Sequence, residues 1–144
     1  HSIKYFQNGY KDQIRRINSY CKEKGVKLVV IKQAFFIDID MQKNINSLSK
    51  EEIIDKLINY NREKDYSNIK NLFWMYTNAI LNKNLDEVAA EDDNITLVDP
   101  TKSLYAKNKL DFFQKDGLHL NYEGNKVIAN KIFEGLTFNQ LIEK

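Results

Sequence analysis

The apolar positions of this chain switch between helical and strand periodicity. In the first 23 residues they recur at steps of three or four, with charged residues on the other side. This spacing predicts an amphipathic helix, and its apolar stripe consists of Ile3, Phe6, Tyr10, Ile14, Ile17 and Cys21. Gly25 is expected to end the helix, because glycine readily adopts the left-handed conformation of a helix C-cap.

Two short segments have the pattern of strands. Residues 28–31 form a continuous apolar run, rich in β-branched side chains. Such a run is typical of a strand that is buried on both faces, as in a parallel sheet. Residues 95–98 form a second, shorter segment of the same kind.

The region between the strands is predicted to be helical. Ser49 and Glu52 have the spacing of a capping box and precede a stripe of isoleucine and leucine. A second helix contains Phe73, and a third, short one contains Val88. A last helix is expected to start near the N-cap Asn121 and to bury Ile128, Ile132 and Leu136 with Ala129 and Phe133. This alternation favours a single α/β domain over residues 1–144, with a parallel sheet, helices on both faces and right-handed crossovers.

Composition narrows the possible partners. With 144 residues, 42% of them apolar, the chain is large enough for one hydrophobic core. A net charge of +2 gives no argument for a nucleic-acid partner. No run of apolar residues reaches the ~20 that a membrane span needs. The single cysteine, Cys21, excludes an internal disulfide and a cysteine-based zinc site, and it is expected to be a buried apolar residue.

One pair of residues has the chemistry of a catalytic site. His119 is the only histidine beyond position 1, and it follows Asp116 by three positions. Both are predicted to lie where a loop leads into the last helix. A neutral imidazole that is oriented by a carboxylate is a general base near neutral pH. The alternative is purely structural, with Asp116 and His119 stabilising the turn before the helix.

The residues around His119 resemble a known family. The segment 112–129, which reads FFQKDGLHLNYEGNKVIA, is similar to the last sequence block of the SGNH (GDSL-type) hydrolases. Residues 26–33 and 84–99 are similar to earlier helices and strands of that fold. The resemblance implies a three-layer αβα, flavodoxin-like fold, with a helical insertion at about 40–90. It also implies that His119 is the catalytic base, that Asp116 orients it, and that no metal or organic cofactor takes part.

The chain departs from the family at the nucleophile. It contains no Gly-Asp-Ser segment, and none of its six serines (Ser2, Ser19, Ser47, Ser49, Ser67 and Ser103) lies in a glycine-containing turn after an apolar strand. We therefore expect this chain to be the C-terminal part of a longer hydrolase, with the serine outside it. The implied substrate is an ester, either a lipid or an acylated carbohydrate. The alternative is an accessory or interaction module that kept the fold without the nucleophile.

Two parallel strands alone make a poor sheet, because they leave an apolar strand edge unpaired. An upstream segment or another chain is therefore expected to complete the sheet beside residues 28–31.

Other polar and aromatic groups give weaker predictions. The carboxylates of residues 38–40 and 91–93 lack the ligand spacing of a calcium loop. Phe35 is expected either in the core or in a substrate cleft, and Phe73, Trp74 and Tyr76 are expected to pack.

Overall fold

The computed structural model describes residues 2–35, 44–45, 47–60, 69–104, 108–115 and 119–138. Helices and strands alternate within these residues. In chain order they are α1 (Ser2–Glu23), β1 (Leu28–Ile31), α2 (Lys50–Tyr60), α3 (Ile69–Glu91), β2 (Ile95–Val98) and α4 (Tyr122–Phe138). Two short 3-10 helices, Thr101–Leu104 and Lys109–Asp111, lie between β2 and α4.

The two strands pair in parallel, in a register that runs from Leu28 opposite Ile95 to Ile31 opposite Val98. Both strands occupy the residues that the apolar runs predict. The N–H of Leu28 donates to the carbonyl of Asn94, at 3.0 Å. Since successive residues of a strand direct their backbone groups to opposite sides, those of Val29 and Ile31 face away from β2. In the part of the chain that the structure describes, the sheet consists of these two strands.

Helices pack against the sheet and form the main core. Val30 and Ile95 are buried together with Leu85 and Val88 of α3, and Tyr10 and Ile14 of α1 pack against this cluster. Val98 is directed to the opposite face of the sheet, because side chains alternate along a strand. There it contacts α4, since a Cβ added to Gly135 would lie 2.9 Å from the Val98 Cγ2 atom. The fold is therefore mixed α/β, with a parallel sheet and packing helices, as the alternation of periodicities predicts.

The end of α1 follows the prediction, but its buried face does not. Gly25 has a φ of 66°, and Val26 N–H donates to the Cys21 carbonyl at 3.0 Å, which is the hydrogen bond of a Schellman C-cap. The expectation that Ile17 is buried was wrong, because its exposed fraction is 48%. Asn18 is buried in its place, at 3%.

Polar contacts explain this shift of the buried face. The Asn18 amide donates to the Asp92 carboxylate at 2.9 Å and accepts from the Asn94 amide at 2.8 Å. Both ends of the buried amide are therefore paired, which removes the cost of burying it. The contacts join α1 to the turn that precedes β2.

The helical region also corrects one expectation. The capping box of α2 is present, with Glu52 N–H donating to the Ser49 hydroxyl at 3.2 Å and Ser49 N–H donating to the Glu52 carboxylate at 2.7 Å. The prediction of a separate short helix around Val88 was wrong, because α3 continues without a break from Ile69 to Glu91. Ile80 packs with Ile53 of α2, whereas Val88 packs on the sheet. One long helix thus joins two parts of the core.

The last helix begins where the N-cap predicts, immediately after Asn121. Val127 and Ile128 pack against a second buried cluster, but the expectation that Phe133 is buried was wrong, since its exposed fraction is 51%. Among the described residues, no helix combines the length and the apolar character that crossing a membrane requires.

Candidate active site

His119 lies in the loop that leads into α4, and it is exposed to solvent. A small buried cluster, formed by Ala34, Leu104 and Phe113, supports this loop, and Leu120 packs against it. Ala34 follows the end of β1 and Leu104 follows the end of β2. The loop with His119 is therefore anchored to the segments that leave the carboxyl ends of both strands, which is where open α/β sheets bind ligands.

Backbone hydrogen bonds fix the position of His119 within the loop. The N–H of Gln114 donates to the His119 carbonyl at 2.7 Å. The next pair of residues, Phe113 and Leu120, forms an antiparallel bridge, and the Gln114 side chain donates to the Leu120 carbonyl at 3.3 Å. These contacts hold the main chain at the His119 carbonyl and at Leu120, directly after the imidazole, and they tie this part of the loop to the buried Phe113.

Asn121 connects this loop to the helix. Its side-chain oxygen accepts from Gly124 N–H at 3.0 Å, which is the N-cap hydrogen bond of α4. Its side-chain amide donates to the Leu110 carbonyl at 2.7 Å, and its backbone N–H donates to the Phe112 carbonyl at 2.9 Å. A single residue thus joins the helix start to two segments of the preceding chain.

The structure places one of the two predicted site residues. Asp116 lies outside the described residues, as do Gly117 and Leu118. The pairing of Asp116 with His119 therefore stays a prediction. The described parts of the motif, Leu120, Asn121 and Gly124, all serve to position the loop that carries His119.

The described serines have local roles. The hydroxyls of Ser19 and Ser47 donate to backbone carbonyls of their own segments, Arg15 and Asn44, and Ser49 caps α2. Ser103 lies exposed in the 3-10 helix after β2. The structure does not describe Ser67 or the side chain of Ser2. None of the serines whose side chains are described follows a strand directly, in the strand-to-helix turn that exposes a nucleophile.

A charged cluster at the carboxyl end of the sheet was not predicted from the sequence. Lys32 follows β1 directly, and its ammonium lies 2.7 Å from the Asp86 carboxylate and 2.9 Å from that of Asp99. The second oxygen of Asp99 accepts from the Thr101 hydroxyl at 2.5 Å and from the Thr101 N–H at 3.0 Å. These contacts fasten the segments after β1 and β2 to each other and to α3.

The same contacts perturb the acid–base properties of the cluster. Burial raises the pKa of Asp99, but hydrogen bonds from Thr101 and Lys32 outweigh it, so that the pKa of Asp99 lies below its ordinary value. Burial lowers the pKa of Lys32, but its two carboxylate partners outweigh that effect, so that the pKa lies above its ordinary value. Lys32 is therefore a charged structural link near neutral pH and is poorly suited to act as a base.

A small cleft adjoins the other side of the segment that carries Ala34. Its volume is about 220 Å³, and Gln33, Phe35, Trp74, Thr77, Asn78 and Leu81 line it. Phe35 thus lines a cleft, which was one of its two expected positions. Trp74 was expected to pack, but 49% of its surface is exposed. We refer to these six residues as the Trp74 cleft.

No known protein family, curated protein or solved structure matches this chain. The resemblance of segments 26–33, 84–99 and 112–129 to the SGNH hydrolases therefore stays a prediction from the sequence.

Proposed function

We propose that this chain is the C-terminal part of an SGNH-type ester hydrolase in which His119 is the general base. The observation that carries the proposal is the position of His119: it is exposed on a loop whose backbone is paired at the His119 carbonyl and at Leu120 and which packs on the segments that follow both strands. The finer fold assignment, a three-layer αβα domain with a helical insertion at about 40–90, belongs to the same proposal.

The proposed reaction is acyl transfer through a serine that lies outside this chain. His119 takes the proton of the serine hydroxyl as the oxygen attacks the ester carbonyl. It then gives that proton to the leaving alcohol, and a water molecule repeats the cycle to release the acid. Asp116 orients the imidazole and stabilises the imidazolium that forms in both steps. The substrate is an ester of a lipid or of a carbohydrate, and no cofactor is needed for these steps.

The sheet supports a role for a further segment. The backbone groups of Val29 and Ile31 face away from β2, and Ile31 is 38% exposed. An apolar strand edge of this kind pairs readily with another strand. We propose that an upstream segment, or another chain, adds a strand beside β1 and carries the nucleophile to the edge of the sheet where the His119 loop lies.

A second candidate is an accessory module without catalysis. The local roles of Ser19, Ser47 and Ser49 favour it, because they engage these three described hydroxyls within their own segments. In that case the loop before α4 has only a structural role, and His119 is a surface residue.

Labelling with a serine-directed fluorophosphonate distinguishes the candidates. In the complete gene product that contains this chain, we expect the label on one serine outside residues 1–144, and no label on the 144-residue chain alone. Labelling must be lost after heat denaturation, which is the control for nonspecific reaction. Stoichiometric label on Ser103 would move the nucleophile into this chain. A folded gene product without label would support the accessory module.

A further inference from the structure

We propose that the Trp74 cleft is a binding site for one uncharged sugar ring. The site lies on one face of α3, since Trp74, Thr77, Asn78 and Leu81 have the spacing i, i+3, i+4 and i+7. The rest of α3 packs against α1, α2 and β2, with Met75, Ile80 and Leu85 buried. Within the described part of the chain, the face at Trp74 is a side of this helix that is open to solvent, with Trp74 itself 49% exposed.

The cleft combines an aromatic surface with amide and hydroxyl groups. Trp74 is half exposed, and the Phe73 and Trp74 rings form a T-shaped pair, with centroids 5.8 Å apart and planes at 75°. About half of the Trp74 surface is therefore accessible to a ligand. Indole faces stack against flat, weakly polar rings. Gln33, Thr77 and Asn78 supply hydrogen-bonding groups around the indole, and none of the six lining residues is charged.

Hydrogen bonds fix the polar wall of the cleft before any ligand binds. The Asn82 side chain accepts from Gln33 N–H at 3.1 Å and donates to the Gln33 carbonyl at 2.8 Å. It also donates to the Asn78 side-chain oxygen at 3.1 Å. Because that oxygen is engaged, the Asn78 amide group is the end left to donate to a ligand. A site whose groups are already oriented loses less free energy on binding.

The chemistry favours a sugar over a fatty acyl chain or a nucleotide. An acyl chain needs an apolar tunnel, but three of the six lining side chains are polar. A nucleotide needs a cation for its phosphate, and none of the six described lining residues is cationic. A pyranose has an apolar face for the indole and hydroxyl groups for the amides. About 220 Å³ is enough for a single ring, but it is below the size of the usual drug-like pocket.

Sugar binding in the Trp74 cleft does not depend on ester hydrolysis. The position of the cleft nevertheless suits a substrate that is an ester of a carbohydrate. Gln33 and Phe35 line the cleft, whereas Ala34 between them packs in the cluster under the His119 loop. A ring bound beside Trp74 would therefore lie across one segment of chain from that loop. Sugar binding is measured without any turnover. If the chain proves not to belong to a hydrolase, the sugar site can still be present, and if no sugar binds, the hydrolase proposal is unaffected.

The experiment uses the intrinsic fluorescence of Trp74, which is the one tryptophan of the chain. We titrate the protein with methyl β-glucopyranoside, N-acetylglucosamine, hexanoate and adenosine monophosphate. We expect a saturable change in emission with at least one of the two sugars, with a dissociation constant on the order of 1 mM for a single small ring. Hexanoate and the nucleotide should give no saturation. Saturation by either of them but not by a sugar, or by no ligand at all, overturns the proposal.

Matched variants connect the signal to the cleft. Asn78→Asp keeps the oxygen that Asn82 binds but removes the donating amide, and Thr77→Val removes only the hydroxyl. We expect each to weaken sugar binding roughly tenfold, with unchanged far-ultraviolet circular dichroism. Tyr20→Ala, at an exposed aromatic residue of α1, is the control and should bind as the wild type does. Trp74→Ala should abolish binding in saturation-transfer NMR. Unchanged affinity in folded Asn78→Asp and Thr77→Val would contradict the site.

Discussion

Gly124 lies so close to the backbone of Phe112 that a Cβ atom on Gly124 would overlap the Phe112 carbonyl oxygen. The same Cβ would lie 2.8 Å from the Leu120 side chain. The first turn of α4 can therefore approach the His119 loop only if this position has no side chain. The glycine that follows Leu120 and Asn121 in the motif has a steric function in this protein.

The first prediction is that Gly124→Ala destabilises the protein. The obstacle is a backbone carbonyl, which has no other rotamer, so the helix start must move away from the loop. We expect a loss of about 1–3 kcal/mol in the free energy of unfolding, as for other overpacked positions, measured by urea denaturation.

Gly9→Ala is the matched control for this substitution. Gly9 lies within α1, and a Cβ there would have nothing within 4 Å. Alanine is the better helix former, so we expect this variant to gain about 0.5–1 kcal/mol. Equal effects of the two substitutions would contradict the steric account of Gly124.

The parts of the fold that depend on local sequence could be predicted. The residues of β1 and β2, the capping box of Ser49 and the stop at Gly25 follow from neighbouring residues alone. The start of α4 belongs to the same group, because the Asn121 side chain reaches only three residues ahead. Such signals act within one turn or one strand, and tertiary packing did not override them.

The second prediction concerns the buried amide of Asn84. Its side chain has an exposed fraction of 0%, and neither of its polar side-chain atoms has a hydrogen-bond partner in the described part of the chain. Burying an unpaired amide costs free energy. We expect Asn84→Leu, which has the same branching without polar atoms, to raise the free energy of unfolding by about 1 kcal/mol in thermal or urea denaturation.

Asn84→Ala tests whether imperfect packing of the leucine side chain limits the stability that Asn84→Leu gains. It removes the amide without adding volume, and we expect a change within about 1 kcal/mol in either direction, because the small cavity opposes the relief. A loss of more than about 2 kcal/mol in both variants would show that the amide has a partner in the folded protein.

The third prediction concerns acid stability through Asp99 and Lys32. The pKa of Asp99 is lower in the folded protein than its ordinary value. Its contribution to stability is therefore complete above the unfolded pKa of about 4 and is lost as pH falls through the folded pKa. The pKa of Lys32 is raised, so its contribution is complete below about pH 10 and is lost as pH rises through the folded pKa.

Lys32→Met removes the cation from between the two carboxylates. We expect a loss of about 1–2 kcal/mol at pH 7, since the carboxylates are partly exposed. Asp99 then keeps its burial but not its ammonium partner, so the acid decline in melting temperature should begin at a higher pH. Melting curves between pH 2.5 and 7 measure both effects. An acid limb that coincides with the wild type would mean that Lys32 does not stabilise the Asp99 carboxylate.

The features that the sequence did not predict depend on residues far apart in the chain. The predicted boundary before the short helix of Val88 is absent, because α3 runs on through Asn82 and Asn84. In the structure Asn82 binds the backbone of Gln33, 49 positions away, so a polar residue can lie in a continuous helix. The ion pairs of Lys32 have the same origin, because Asp86 and Asp99 reach it only when the sheet and α3 have formed.

His119 was predicted as the base from its residue type, its position and the resemblance to the SGNH hydrolases, and the structure adds the contacts of the loop on which it lies. Asp116 lies outside the described residues, so its role stays a prediction. The sequence indicated the Trp74 cleft only through Phe35, for which a cleft was one of two expected positions. It did not indicate Trp74, because an aromatic residue in a helical stretch is more often buried than exposed.

The central claim is that His119 is the base of an ester hydrolase, and the kinetics of the complete gene product test it most directly. We measure kcat/KM for an activated ester in the wild type, His119→Ala, Asp116→Asn and the control Lys126→Ala, with melting temperatures alongside. We expect a loss of at least ~10³ for His119→Ala and of ~10²–10⁴ for Asp116→Asn, with melting temperatures close to the wild type and a fully active control. Wild-type activity per folded molecule in both variants, together with a sharp loss of stability, would contradict the claim and leave the pair a structural part of the turn.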